Sequence, residues 1–229
     1  MTKSYSKHDI YLEVGKKKVF AIAVDWPGWC RFGKDEELAV QSLMDAAPRY
    51  SKIVRSAKLE FSVPEATSRI RIVNRLEGNS TTDFGAPDIQ LPSDWDPVDT
   101  NELERCVKLL KACWLAFDEA VERASGRELH KGPRGGGRDL PKIVDHVDGA
   151  EEGYLKTLGW KLHSNRIHRT EERCDRVRSE AIEGLQAAVE SQLPSEGPRG
   201  GKRWSPRFFV RRIAWHVVDH AWEIEDRIV

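Results

Sequence analysis

Hydrophobic positions change period partway along the chain. From residue 10 to 14, and again from 18 to 24, they run nearly unbroken. The second run (Val19, Phe20, Ala21, Ile22, Ala23, Val24) is apolar enough for a strand inside a sheet, with Gly15 and the neighbouring lysines marking the turn between the two. After the turn from Asp25 to Cys30, apolar residues recur at Leu38, Ala39, Leu43, Ala46 and Ala47, which predicts a helix from Asp35 to about Ile53. Residues 68–76 (SRIRIVNRL) alternate polar and apolar, as a half-buried strand does. A small α+β unit is therefore expected over residues 1–85.

Residues 86–98 hold three prolines and no sustained period, and read as a linker. Beyond them the strand pattern stops. Asp99 with Glu102 forms a capping-box pattern, opening a helix through Leu109, Leu110, Trp114 and Phe117 that stops at Gly126. Asp139 with Pro141 opens a second, closed by Leu158 and Gly159. A third begins between Ser164 and Thr170 and ends before Pro194; Ser205 and Pro206 open a fourth that runs to the C-terminus. Four amphipathic helices of similar length bury their apolar stripes most simply against one another, so a four-helix bundle is expected over residues 99–229. The predicted fold class is α+β, in two domains.

Composition narrows the function classes. Hydrophobic residues at 39% and charged residues at 32% suit a soluble globular chain, and Lys+Arg 37 against Asp+Glu 37 leaves no net field to attract nucleic acid or anionic lipid. No run of 18 apolar residues exists and the first eleven residues are polar, so neither a membrane span nor a secretion signal is expected, and the predicted location is cytoplasmic. Cys30, Cys106, Cys113 and Cys174 are widely spaced without a CxxC and read as buried free thiols.

Candidate chemistry gathers in the second and fourth of these helices. The run WHVVDHAWE at 215–223 sets His216 and His220 four apart, one helical turn, where both can reach one metal ion. At about 100° per residue they share a stripe with Phe209, Ile213 and Ile224, and so should face the bundle interior. Seven histidines in 229 residues give about 0.2 such pairs by chance, so the spacing alone is a weak signal. His146 adds a third, sharing helical spacing with Ile143, Ala150 and Tyr154. Three neutral nitrogens on facing helices can hold a divalent ion with one position open, where a bound water or thiol loses its proton near neutral pH. The plainer alternative is three hydrogen-bonded core histidines. Asp219 and Glu223 flank the stripe as groups able to orient an imidazole, with surface solvation the simpler reading of each. Arg212 and Arg227 flank it too; either offers an anion contact, and Arg227 can pair with Glu223 across one turn.

The segments KIVDHVDGAEEGYL (142–155) and RIAWHVVDHAWEIEDR (212–227) resemble the two signature helices of the DinB-like (DinB/YfiT) superfamily, over about residues 98–229. The resemblance implies a four-helix bundle in up-down-down-up order. Its three inward ligands, here His146, His216 and His220, would hold zinc, nickel or another divalent ion. It also implies a small-molecule substrate and a low-molecular-weight thiol cosubstrate, because the superfamily includes S-transferases and a maleylpyruvate isomerase acting with mycothiol or bacillithiol. The expected function is thus a metal-dependent thiol S-transferase or hydrolase. No residue stands out as catalytic acid or base, and a homodimer is compatible with these patterns.

Two further features frame the alternative. Residues 8–55 resemble the β-β-α start of HicB-like antitoxin domains, with an extra Trp29 in the turn and no DNA-binding segment following. A noncatalytic binding or regulatory protein, whose front domain recognises a partner, is the rival expectation; Trp26 and Trp29 read as a packed turn that can dock on outer tryptophans Trp215 and Trp222. The GPRGG runs at 132–136 and 197–201 each lead into a helix bearing proposed ligands and read as flexible connections. They can form a joint anion site only if those two helices run parallel. The basic run 199–212 reads as a solvated face rather than an RNA contact.

Overall fold

The computed structural model describes residues 7–131, 137–163, 170–197 and 200–229. It is an α+β structure whose contacts separate two compact units between Gln90 and Leu91.

In the first unit, strands β1 (His8–Val14), β2 (Val19–Ala23), β3 (Cys30–Gly33) and β4 (Ile70–Glu77) form a mixed sheet of order β3-β2-β1-β4. β1 is antiparallel to β2 and parallel to β4. β2 lies inside the sheet and all five of its residues are buried, as its unbroken apolar run requires. β3 was not expected. Its four residues are too few to show an alternation, and they sit directly after the predicted turn, pairing from Val19↔Gly33 to Ile22↔Cys30. The start is therefore β-β-β-α instead of β-β-α. β4 matches the alternating segment but lies at the sheet edge, where none of its residues is fully buried.

Helix α1 (Glu36–Ser56) is capped by Asp35, whose side chain accepts from Leu38 N, and it buries Ala39, Leu43, Ala47, Tyr50, Ile53 and Val54. Leu38, expected on the inward face, is 48% exposed because the buried stripe begins one residue later. Trp29 is fully buried, stacked on Tyr50 at 6.3 Å, and donates Nε1 to the Leu43 carbonyl at 2.7 Å. The turn tryptophan is a core residue.

The stretch expected as a linker is bound at both of its ends. The buried Glu13 carboxylate accepts from Asp88 N at 2.9 Å, Ile89 N at 3.0 Å and the hydroxyl of Thr82 in the short helix α2 (Ser80–Phe84). Within the second unit, Arg211 forms a buried ion pair with Asp94, and Arg207 donates to the carbonyls of Ser93, Asp96 and Pro97. Proline density marks an irregular path here, not a loose one.

The second unit carries α3 (Thr100–Ala124), α4 (Leu140–Leu158), α5 (Thr170–Val189) and α6 (Pro206–Arg227), each of which touches the other three. Asp99, Asp139 and Ser205 each accept from the backbone N–H three residues on, and Gly159 closes α4 in the left-handed conformation. Glu102 does not return to the Asp99 amide; its carboxylate instead receives Arg207 at 2.6 and 2.7 Å, a stronger partner for a charged group.

Contacts at the helix ends fix their directions. Glu102 meets Arg207 where α3 and α6 begin and Arg123 meets Glu225 where they end, so these two run parallel. Arg138, just before α4, accepts from Arg227 at the end of α6, and Trp204, just before α6, donates to Thr157 at the end of α4; α4 and α6 are antiparallel. Arg173 pairs with Glu152 near the start of α5, while Gly184 abuts Leu155 further along both helices, so α4 and α5 run parallel. The order is up-down-down-up. The described start of the connection after α4 packs along α5: Trp160 Nε1 and the His163 backbone N–H both donate to the buried Glu180 carboxylate, at 2.6 and 3.0 Å. α4 and α6 start at opposite ends, so the parallel arrangement of these helices that a joint anion site needs is not present. Residues 132–136, 198 and 199 themselves lie outside the described residues.

On α4 the most buried positions are Ile143, Val147, Asp148, Glu151, Leu155 and Leu158, placing His146, Ala150 and Tyr154 at the edge of the inward face instead of its centre. Two carboxylates occupy core positions that a hydrophobic pattern assigns to solvent. Glu151 accepts from Trp114 Nε1 at 2.8 Å, and burial pushes its pKa up to about 7. The fold then holds this proton up to about pH 7, whereas the unfolded chain releases it near the usual carboxylate value. Stability should fall as pH rises from about 4.5 through 7, by about 3 kcal/mol from this group. Urea unfolding at pH 5 and pH 8 should show that the difference between the wild type and Glu151→Gln changes in this direction. An unchanged difference would mean the carboxyl is ionised throughout.

α4 also carries Gly149 and Gly153 in its middle, and a Cβ at Gly153 would meet nothing within 4 Å. Gly153→Ala should raise stability by about 0.5–1 kcal/mol by restricting the unfolded chain, read as a higher urea midpoint.

Candidate metal centre

The three predicted histidines come together. One ligand atom from each of His146 on α4 and His216 and His220 on α6 lies within 4.8 Å of the other two, so the cluster can hold a metal ion. Ring centroids are 5.0 Å apart for His146 to each partner and 4.6 Å for His216 to His220, all edge-on. His146 Nε2 and His216 Nε2 stand 3.2 Å apart. Two nitrogens each bound at about 2.0–2.1 Å to a tetrahedral ion are separated by about 3.3 Å, so this pair fits one edge of such a site. The same separation also suits a hydrogen bond between the two rings, one Nε2–H donating to the other Nε2.

α6 presents its two histidines inward because it is buried on every face over most of its length. His216 and His220 are 6% and 8% exposed. Trp215 and Trp222, expected on an outer face, are buried as well. His146 is half-buried. Burial, with Arg138 and His220 nearby, pushes the His146 pKa down to about 4, and burial with the neighbouring imidazoles holds His216 well below the usual histidine value. Both rings are neutral at physiological pH, the form in which imidazole ligates a metal.

His220 has a defined orientation. Glu223 Oε2 lies 2.7 Å from Nδ1, and since an ionised carboxylate only accepts, Nδ1 carries a proton and Nε2 is the ring nitrogen left to face the cluster. The Glu223 pKa is lowered, chiefly by that hydrogen bond. Arg227 donates Nη1 to the other oxygen of Glu223 at 2.5 Å, Nε to the His130 carbonyl at 2.8 Å and Nη2 to the Arg138 carbonyl at 2.9 Å. Glu223 is thus a fixed part of the site and not simply a solvated surface group, and the Arg227–Glu223 pairing expected across one turn is present. His216 is held differently: Nδ1 is buried without a hydrogen-bond partner, and packing against Tyr154 at 5.7 Å and Trp215 at 5.8 Å sets the ring.

Arg212 was expected as a flanking group. It is 8% exposed and stacks over two rings, Trp215 at 4.8 Å and Tyr154 at 5.4 Å. The pattern of hydrophobic residues gave no sign that this guanidinium would be buried. The three thiols of the helical unit are poorly suited to nucleophilic work: burial raises the pKa of Cys106 to about 11 and of Cys113 and Cys174 to about 12. No protein-family model, curated protein or solved structure matches this chain.

Proposed function

We propose that residues 99–229 form a DinB-like domain in which His146, His216 and His220 bind a divalent ion, zinc or nickel, and that the protein is a metal-dependent thiol S-transferase or hydrolase acting on a small molecule. The observation that carries this reading is the convergence of three imidazoles from two helices, with the fit of the 3.2 Å nitrogen pair to a tetrahedral edge. The up-down-down-up helix order, read from end-to-end contacts, supports the same family.

When bound, the ion would supply a Lewis acid with a position for substrate, able to hold a thiol as its thiolate at neutral pH. The chain's residues do the rest. Glu223 holds the His220 proton on Nδ1 and so keeps Nε2 available, while Arg227 fixes Glu223 against the carbonyls of His130 and Arg138. Burial keeps His146 and His216 deprotonated. Because Cys106, Cys113 and Cys174 have raised pKa values, the reacting thiol is a separate cosubstrate.

Elemental analysis of the purified full chain should find about one divalent ion per molecule. The metal-loaded protein should consume a low-molecular-weight thiol in the presence of an electrophilic substrate, followed by loss of free thiol with a colorimetric reagent. Stoichiometric metal without any turnover across thiol and ester substrates would favour a noncatalytic protein; absence of metal would defeat the reading.

A further inference from the structure

A cleft of about 740 Å³ opens where α4 finishes, within the range of about 300–1,000 Å³ that small-molecule sites occupy. It is separate from the histidine cluster. Lys156, which lines it from the last turn of α4, is ten residues past His146, about 15 Å along the helix axis.

The cleft combines apolar walls with positive charge. Trp160, Leu193 and Pro194 supply apolar surface, and Lys156, Lys161 and Arg203 supply three cations, with no carboxylate among the described lining residues. Glu180 lies behind the wall, where it accepts from Trp160 Nε1 and the His163 backbone. Arg203 contributes charge rather than a donor, since its Nη1 is committed to the Lys156 carbonyl at 2.6 Å. Lys156 and Lys161 are exposed and form no ion pair among the described residues, so their ammonium groups remain hydrated point charges at the rim.

The walls are held in place by bonds of the fold itself. Trp160 is pinned by its 2.6 Å bond to Glu180, and α5 carries glycine at 184, where a Cβ would stand 3.1 Å from the indole Cγ, so the ring lies flush against that helix. Arg203 N donates to the Ser195 carbonyl at 3.1 Å, tying together the two stretches that supply Pro194 and Arg203. A preformed cleft of this kind spends little ordering entropy on a ligand.

We propose that this cleft binds a small organic anion with an apolar body, at a site distinct from the three-histidine centre. The body lies against Trp160, Leu193 and Pro194, and the anionic group meets Lys156 and Lys161 at the rim. Apolar walls alone would admit neutral molecules and lysines alone would hold any anion; together they select a molecule that carries both features. Lysine imposes no planar fork, so negative charge, not the shape of the anionic group, is what is recognised. Binding here requires no metal.

The test is isothermal titration calorimetry on the full chain with 2-naphthoate as the probe. One site per chain should bind it with a Kd at least about tenfold below those of 2-naphthamide, which has the same rings and no charge, and of inorganic phosphate, which has charge and no apolar body. Changing Lys156 and Lys161 together to Gln should raise the naphthoate Kd about fivefold or more, and Leu193→Asp, which sets a negative charge in the wall, about tenfold or more. Lys108→Gln with Lys111→Gln, on α3 outside the cleft, and His216→Ala should each leave the Kd within about twofold. Absence of naphthoate binding overturns the proposal, as does naphthamide or phosphate binding equally well, or a Kd unmoved in both cleft variants. Loss of binding in His216→Ala also overturns it, by placing the carboxylate at the histidine centre. If Leu193→Asp does not fold, the variant at the two exposed lysines decides.

Discussion

Replacing His216 with Ala should abolish stoichiometric metal binding and produce the largest functional loss of any single change in the chain. His216 is the most enclosed of the three imidazoles and contacts both of the others. Removing its Nε2 leaves His146 and His220 to hold an ion with two nitrogens. Glu223→Gln provides the calibrating comparison. It removes the carboxylate that orients His220 but no ligand, and changes of that kind cost about 10–100-fold in metal affinity. His216→Ala should exceed that range. Thermal unfolding gives a second readout: zinc at a thousandfold excess over its Kd stabilises the wild type by about 4 kcal/mol, and this zinc-dependent rise in Tm should vanish in His216→Ala and shrink in Glu223→Gln. Equal zinc-dependent stabilisation in wild type and His216→Ala would show that the histidines are ordinary core residues.

The second large effect concerns stability and lies outside the site. Asp94→Ala should destabilise the helical unit by about 3–5 kcal/mol, because it strands the Arg211 guanidinium in the interior. Asp94 and Arg211 are 1% and 4% exposed and paired, and Asp94 Oδ2 also accepts from Leu91 N at 2.7 Å. The loss should come mainly from the uncompensated charge, not from the missing bond. Adding Arg211→Met to Asp94→Ala should therefore recover much of the stability, since a buried ion pair replaced whole by an apolar side chain is often close to neutral. Urea unfolding followed by circular dichroism at 222 nm would measure both. A double variant no more stable than Asp94→Ala would mean that Asp94 acts through the Leu91 amide and not through Arg211.

These two sites differ in how far the sequence revealed them. Helix limits in the second half were legible because their causes are local: Asp99, Asp139 and Ser205 each reach an amide three residues away, and Gly159 stops α4 by its own conformation. His216 and His220 were legible for the same reason, being one turn apart on a stripe that also holds Phe209 and Ile213. His146 is 70 residues from His216, and the two were linked in advance by the inward faces expected of their helices in a bundle and by the resemblance of those helices to one superfamily.

What the sequence hid was charge in the interior. Asp94, Asp148, Glu151 and Arg211 read as surface residues by composition, yet each is buried. The Arg211 partner lies 117 residues away and the Glu151 partner 37, and no hydrophobic period records such pairings. β3 was hidden by brevity, and residues 86–98 by a proline content that signals irregular backbone without saying whether side chains hold it down. Glu223 was legible as a group able to orient an imidazole, and its place three residues after His220, on the same side of α6, lets its carboxylate reach imidazole Nδ1, so the simpler reading of surface solvation does not hold.

The unequal build of α4 and α6 has a consequence for motion. α6 brings two of the imidazoles on a rod with little freedom to surrender, whereas α4 brings the third from a half-exposed position on a helix interrupted by two glycines. An ion gripped by all three would act as a rivet through the softer rod into the stiffer one. Amide hydrogen exchange should accordingly slow most along α4 when metal is added, while the backbone of α6, already protected, barely responds.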